Sequence, residues 1–208
     1  MSSSIANINN LCFSKCSSLT QIAIPPSVTS IGDCAFLDCF LLTQVDIPNS
    51  VKSIGTSCFK SCTSLKRITI SQSITIISEN SFSGCCSLAQ EIIPSSNITI
   101  DKQAFEGCTS LTKIEIPSSV QYVGVFSFKG CTQLSQITYD CYQTMIENNT
   151  FDDCNKLNIV VLSDTIKWIK SKTNDTVKLI KTINTIVSPN SVEFLDVESF
   201  IEYSSLAN

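Results

Sequence analysis

Seven phenylalanines stand at an unbroken interval of 23 residues: Phe13, Phe36, Phe59, Phe82, Phe105, Phe128 and Phe151. Three residues after each comes a cysteine, from Cys16 to Cys154, and three further on a leucine, from Leu19 to Leu157. The best-formed unit, from Phe105 to Gly130, reads FEGCTSLTKIEIPSSVQYVGVFSFKG. A phrase this short buries too little apolar surface to fold alone. It becomes stable only when a neighbouring copy covers each of its flanks, which makes the chain a stack of coils around one continuous core.

Within each unit the segment Leu-x-x-Ile-x-Ile alternates with a period of two. Ile22 and Ile24 point inward and Gln21 and Ala23 outward, the pattern of a half-buried strand. Pro25 ends the strand because it has no N–H for the ladder, and Pro48 and Pro117 do the same in their units. Strands are expected near 21–25, 44–48, 67–71, 113–117 and 136–140. At equivalent places in successive units they run parallel, about 4.7–4.9 Å apart. After the strand comes a hydroxyl ladder, Ser27, Ser50, Ser73, Ser96 and Ser119, suited to bonding backbone groups that the turn leaves unpaired. Val28, Val51, Ile74 and Val120, with Ile31, Ile54, Ile77, Ile100 and Val123, build a second, short extended wall. Gly32, Gly55 and Gly124 follow that wall and are expected in turns with positive φ. The Ala-Phe-x-x-Cys that closes the unit reads as a helical or 3₁₀ turn, and no segment has the periodicity of a long helix. The period falls within the roughly 20–29 residues of a leucine-rich repeat. The fold class is therefore a leucine-rich-repeat solenoid, with a parallel β-sheet on the concave face and short strands and turns on the other wall.

The pattern extends over one solenoid, 1–208, with regular repeats over 1–157 and two degenerate terminal repeats over 158–208. It frays within this range. Glu91 and Asn97 occupy isoleucine and valine slots, and the adjacent Ile92 and Ile93 suggest a local shift that keeps one isoleucine inward. Gln143 falls at a valine slot, where a bulge is expected. Beyond Leu157 an insertion of three residues restores the register at Val192 and Leu195. Lys167, Lys170, Lys172, Lys178 and Lys181 make the first part of this region basic, and Glu193, Asp196, Glu198 and Glu202 make the second acidic. A solvated terminal face explains this, and a docking patch is the alternative.

The remaining composition removes whole classes of chemistry. There is no histidine, so serine–histidine and cysteine–histidine nucleophiles and histidine metal ligands are excluded. Charged residues are 15%, the net charge is −4 and Arg67 is the only arginine, which argues against nucleic acid as a partner. No stretch reaches the ~18–20 apolar residues of a transmembrane helix. MSSSIANINN lacks the basic start and apolar core of a secretory signal, which points to the cytoplasm, to another export route or to a longer protein. Seven of the twelve cysteines form the ladder. Translation along the stack spaces them at about the strand separation, too far and too parallel for disulfides, so they are expected to be buried, reduced thiols. Cys12 with Cys16 and Cys58 with Cys62 have zinc-like spacing, but no histidine or second pair completes a site. No phosphate loop, paired carboxylates or cofactor motif is present. The sequons at Asn97, Asn148 and Asn174 matter only if the chain is secreted.

The unit Leu-x-x-Ile-x-Ile-Pro-x-Ser-Val-x-x-Ile-Gly-x-x-Ala-Phe-x-x-Cys resembles the 23-residue leucine-rich repeat of the BspA-like surface protein family. Pro25, Ser27, Val28, Ile31, Gly32, Ala35, Phe36 and Cys39 carry the match in one unit, and the pattern covers about residues 5–170. The resemblance implies a cell-surface antigen that adheres to or binds host matrix proteins, with no catalytic step and no cofactor. Solenoids generally bind partners on their extended concave face. The expected protein-binding columns are therefore Gln21, Gln44, Arg67, Gln90, Lys113 and Gln136, and beside them Asp46, Thr69, Glu115 and Thr138. An intracellular structural or interaction scaffold is the alternative, and end-to-end contacts through the open solenoid ends are a further expectation.

Overall fold

The computed structural model describes residues 5–89, 93–96, 98–139, 144–147, 149–162, 168–169, 185–187 and 194–195. In chain order its strands are β1 (Asn7–Ile8), β2 (Gln21–Ala23), β3 (Ser30–Ile31), β4 (Gln44–Asp46), β5 (Ser53–Ile54), β6 (Arg67–Thr69), β7 (Ile76–Ile77) and β8 (Ile98–Ile100). There follow β9 (Lys113–Ile116), β10 (Val120–Val123), β11 (Gln136–Tyr139), β12 (Met145–Ile146), β13 (Ile159–Leu162), β14 (Trp168–Ile169), β15 (Thr185–Val187) and β16 (Phe194–Leu195). Every pairing is parallel. The strands before the proline form two sheets, β2-β4-β6 and β9-β11-β13-β15, and those of the opposite wall form β1-β3-β5 and β7-β8-β10-β12. The result is the expected parallel solenoid of about six turns.

Register follows the sequence period. Gln21 lies opposite Gln44 and Gln44 opposite Arg67, as Lys113 does Gln136 and Gln136 does Ile159. The fourth unit departs from it by one residue. Val120 pairs with Ile98, whereas Tyr122 and Val123 return to step opposite Thr99 and Ile100. Ile98 thereby takes the buried wall position that strict periodicity gives to Asn97, and Ile93 is also buried. The apolar side chain wins the inward slot because burying the amide there without partners costs more than a bulge. Glu91, Asn97 and Gln143, where the sequence predicts irregularity, lie outside the described residues. Further along, Ile159 pairs with Thr185 and Trp168 with Phe194, each 26 residues apart, matching an insertion of three.

The core is a set of columns. Phe36, Phe59, Phe82, Phe105 and Phe128 are fully buried. With Phe13 and Phe151 at either end they stack with ring centroids 5.1–5.6 Å apart and planes within 10° of parallel, the spacing of offset aromatic pairs. The closing turns are single i→i+3 turns. The Leu37 N–H donates to the Cys34 carbonyl and the Cys39 N–H to that of Phe36. The N–H groups of Phe36 and Asp38 donate instead to Cys58 and Lys60 of the next unit. No helix forms among the described residues, because Cys34 (φ 53°) and Asp38 (φ 59°) are left-handed and the same two slots are left-handed in the following units.

The glycines after the wall correct the sequence reading. Gly32, Gly55 and Gly124 do not have positive φ. They are there for space: a Cβ on Gly32 would lie 2.6 Å from the Asn10 backbone nitrogen, and one on Gly124 would lie 2.7 Å from that of Lys102. Close backbone contact at these three positions, not backbone torsion, favours glycine, whereas Ser78 and Asp101 fill the same slot in the two units between Gly55 and Gly124. The serine ladder satisfies carbonyls between coils in part. Ser27 donates to Ile5 (2.7 Å), Ser73 to Asn49 (3.0 Å) and Ser96 to Ile74 (2.9 Å), whereas the hydroxyls of Ser50 and Ser119 are buried without a partner.

Candidate functional site: the sheet face and its flanking turns

Alternation along each strand puts one residue in the core and its neighbours outside. In β4, Val45 is buried and Gln44 and Asp46 are exposed; in β6, Ile68 is buried and Arg67 and Thr69 are exposed. The parallel register then aligns the outward residues into the two expected columns. Gln21, Gln44 and Arg67 follow one another in the first, and Ala23, Asp46 and Thr69 in the second. Arg67 is the hub of this patch. One guanidinium nitrogen donates to Gln44 Oε1 (3.3 Å) and lies 3.8 Å from Asp46 Oδ2, while Thr69 donates to Asp46 Oδ1 (2.9 Å). Both ions are about half exposed or more (49% and 65%), so the pair orients the side chains without withdrawing them from solvent. Beside it lies an open depression of about 370 Å³ lined by Gln21, Ile22, Ala23, Ile24, Gln44 and Asp46.

The second sheet repeats the arrangement with other side chains. Lys113 and Glu115 are exposed on β9, and Gln136 and Thr138, half-buried, lie opposite them on β11. Gln90, which would connect the two sheets, lies outside the described residues. Of the expected binding residues, the structure thus brings Gln21, Gln44, Asp46, Arg67 and Thr69 together as one group and Lys113, Glu115, Gln136 and Thr138 as another.

Two features escaped the sequence reading. Six of the seven ladder thiols donate to the phenylalanine carbonyl 26 residues earlier. Cys39 bonds to Phe13, Cys62 to Phe36, Cys85 to Phe59, Cys108 to Phe82, Cys131 to Phe105 and Cys154 to Phe128, at 3.1–3.3 Å. The same carbonyl already accepts the N–H of its own unit's cysteine, as Phe36 does from Cys39. Burial, opposed only in part by backbone hydrogen bonds, pushes the Cys39 thiol up to about 11 and that of Cys62 up to about 12, and raises Cys58 and Cys85 well above their ordinary value. The thiols therefore stay protonated and able to donate. All eleven described cysteines are free, and Cys12, Cys16 and Cys86 are exposed. The second missed feature is an apolar pair on the turn before β4, Phe40 (44% exposed) and Leu41 (50% exposed). Its sequence signal was available: the other six units place Ser, Thr, Cys or Asn at the first of these slots and Ser, Gln or Lys at the second.

Among the described residues no group of three or more cysteine and acidic side chains converges as a metal site, and no helix is long and apolar enough to cross a membrane. The description of BspA type leucine rich repeat regions matches residues 1–112 and 75–207, with six copies. The chain belongs to the BspA-type leucine-rich repeat family. Proteins built of such repeats are generally protein-interaction modules. Among solved structures, a leucine-rich repeat protein from Bacteroides ovatus shares 27% identity over 92% of this chain, with a TM-score of 0.64. The match covers 54% of that protein, so this chain spans about half its length. The T. pallidum leucine-rich repeat protein shares 21% identity over 90% of this chain and 87% of its own, with a TM-score of 0.52. The pneumococcal vaccine antigen PcpA shares 17% over 83% of this chain and 56% of its own, also at 0.52; these two likenesses concern the fold. Among curated proteins none matches the chain.

Proposed function

We propose that this BspA-type repeat protein is a non-catalytic module that holds a protein ligand against the outer face of its sheet, acting in cell-surface adhesion or host-matrix binding. The observation that supports it is the hydrogen-bonded group of Gln44, Asp46, Arg67 and Thr69, ordered yet exposed across the adjacent strands β4 and β6. Preordered donors and acceptors on a rigid surface reduce the entropic cost of binding, and interface hot spots favour arginine. Gln21, Lys113, Glu115, Gln136 and Thr138 extend the same surface along the stack, and Gln90 completes it in sequence. In a binding titration against a protein captured through this face, Arg67→Ala is expected to weaken affinity by more than about 1 kcal/mol while barely changing stability. Thr29→Ala, on the opposite wall, serves as the control. Equal affinity for wild type and Arg67→Ala would remove the sheet face as the site.

The second reading, an intracellular interaction scaffold, is favoured by one observation. Cys12, Cys16 and Cys86 are exposed free thiols, a state suited to a reducing compartment. Antibody labelling of unpermeabilised cells separates the two: surface signal supports adhesion, and signal only after permeabilisation supports the scaffold.

A further inference from the structure

Phe40 and Leu41 lie outside the sheet-face surface and have no structural task that the repeat requires. The equivalent turns close with polar residues, and Thr63 and Thr109 there even donate to a carbonyl of the preceding coil (3.5 and 3.3 Å). Phe40 gives up that bond and is 44% exposed. Leu37, half-buried on the same turn, is the third departure, since the other six units have Ser, Lys, Glu or Asp at its slot. One unit among seven has thus exchanged three neighbouring polar positions for apolar ones and leaves two of them exposed, at a cost in solvation.

The backbone ladder places lysines on the coils to either side of this turn. The Lys15 N–H donates to the Leu37 carbonyl (2.7 Å), the Asp38 N–H to that of Lys60 (2.9 Å), and the Lys66 N–H to that of Thr43 (2.9 Å). Lys15 and Lys66 are exposed and form no ion pair among the described residues; Lys60 is half-buried and donates to Asn80 (3.2 Å). Asp38 is the one acidic residue of this turn. Two exposed lysines, Lys15 on the preceding coil and Lys66 on the following one, therefore flank this turn in a chain whose net charge is −4.

We propose that Phe40 and Leu41 anchor a second docking site, which takes a short segment of a partner protein carrying apolar side chains flanked by carboxylates. Leu37 floors the contact, and Lys15 and Lys66 select the acidic flanks, an arrangement of apolar centre and charged rim typical of selective interfaces. This surface is independent of the Arg67 group, so either can fail without the other.

The test is to pan a displayed library of random 12-residue peptides on the full chain, with wild type, the double variant Phe40→Ser/Leu41→Ser and Arg67→Ala as parallel baits. The serines are those of the preceding unit, Ser17 and Ser18, and matching melting curves verify that the variant folds. The expected result is enrichment of peptides pairing aromatic or aliphatic residues with Asp and Glu, binding wild type and Arg67→Ala alike, and at least tenfold weaker binding to the double variant. A rise from 0.1 M to 0.5 M salt should weaken that binding further. Enrichment indifferent to the double variant, selection of basic flanks or no enrichment overturns the proposal. So does Phe40-dependent binding to anionic phospholipid vesicles in the absence of peptide selection, which would make the patch a membrane contact.

Discussion

The carbonyl of Phe36 accepts two donors, the backbone N–H of Cys39 in its own coil and the thiol of Cys62 in the next. Cysteine suits this slot because its S–H is small, tolerates burial and still donates weakly. The arrangement depends on the proton. Since burial raises the folded thiols above their ordinary value of 9.0, the unfolded chain ionises first as pH rises. The sign follows: the stabilisation is whole below about pH 9 and is lost between there and about 12. Each such thiol removes on the order of 1.4 kcal/mol per pH unit inside that window. Melting temperature is expected to be level from pH 7 to 8.5 and to fall above 9, less steeply in Cys39→Ala/Cys62→Ala. An equal slope in that variant would assign the alkaline loss to other groups. At the same scale, Gly55→Ala would set a Cβ 2.6 Å from the Gly32 carbonyl carbon. It is expected to destabilise by about 1–3 kcal/mol, as overpacking does, in chemical unfolding. A neutral outcome would show that the coils can part there at no cost.

At the scale of elements, the strands were legible because two facing requirements leave the same mark in the sequence. Val45 and Ile68 must be apolar, Pro25 and Pro48 must stop the ladder, and a period of 23 sets the register that places Gln44 beside Arg67. The turns were less legible. The first of their two left-handed slots is filled by Cys34, Ser57, Asn80, Gln103, Phe126 and Asn149 in turn, so no residue type announces it, and the second is glycine only at Gly84, Gly107 and Gly130. Glycine announces the wrong thing: Gly32 and Gly55 look like torsional residues but answer to the backbone of the coil beneath. The one-residue slip at Ile98 is foreshadowed as a local shift because a polar residue at a core slot is unfavourable, but its direction depends on which neighbour can reach the core. The polar columns of the sheet were readable by alternation alone. The bonds joining Arg67, Gln44, Asp46 and Thr69 were not, because side-chain reach across strands has no signature in sequence. Phe40 and Leu41 were hidden for a different reason. They lie beside Leu42 and, in a run of apolar letters, pass for core until each slot is compared with its six equivalents.

For the whole molecule, stability is carried by contacts between neighbouring coils, so what a residue contributes depends on where it lies in the stack. The phenylalanine column tests this with chemistry held constant. Phe82 is fully buried, with Phe59 at 5.6 Å on one side and Phe105 at 5.3 Å on the other. Phe13 is only partly buried and stacks on Phe36 alone. Removing the Phe82 ring opens a cavity with both neighbours in place, and Phe82→Ala is expected to cost about 3–5 kcal/mol. Phe13→Ala removes fewer contacts and leaves the site open to water, so its cost should be well below that of Phe82→Ala. Local opening of the end coil should lower it further, since a terminal repeat can separate without breaking the interfaces beyond it. Urea unfolding of the two variants provides the measurement, with hydrogen exchange of the Phe36 and Phe59 amides as the spatial readout. Equal losses at Phe13 and Phe82 would mean that the stack unfolds as one unit, its ends held as firmly as its middle. Unequal losses, with exchange in Phe13→Ala accelerated only in the first coils, are the behaviour of a chain stabilised one neighbour at a time.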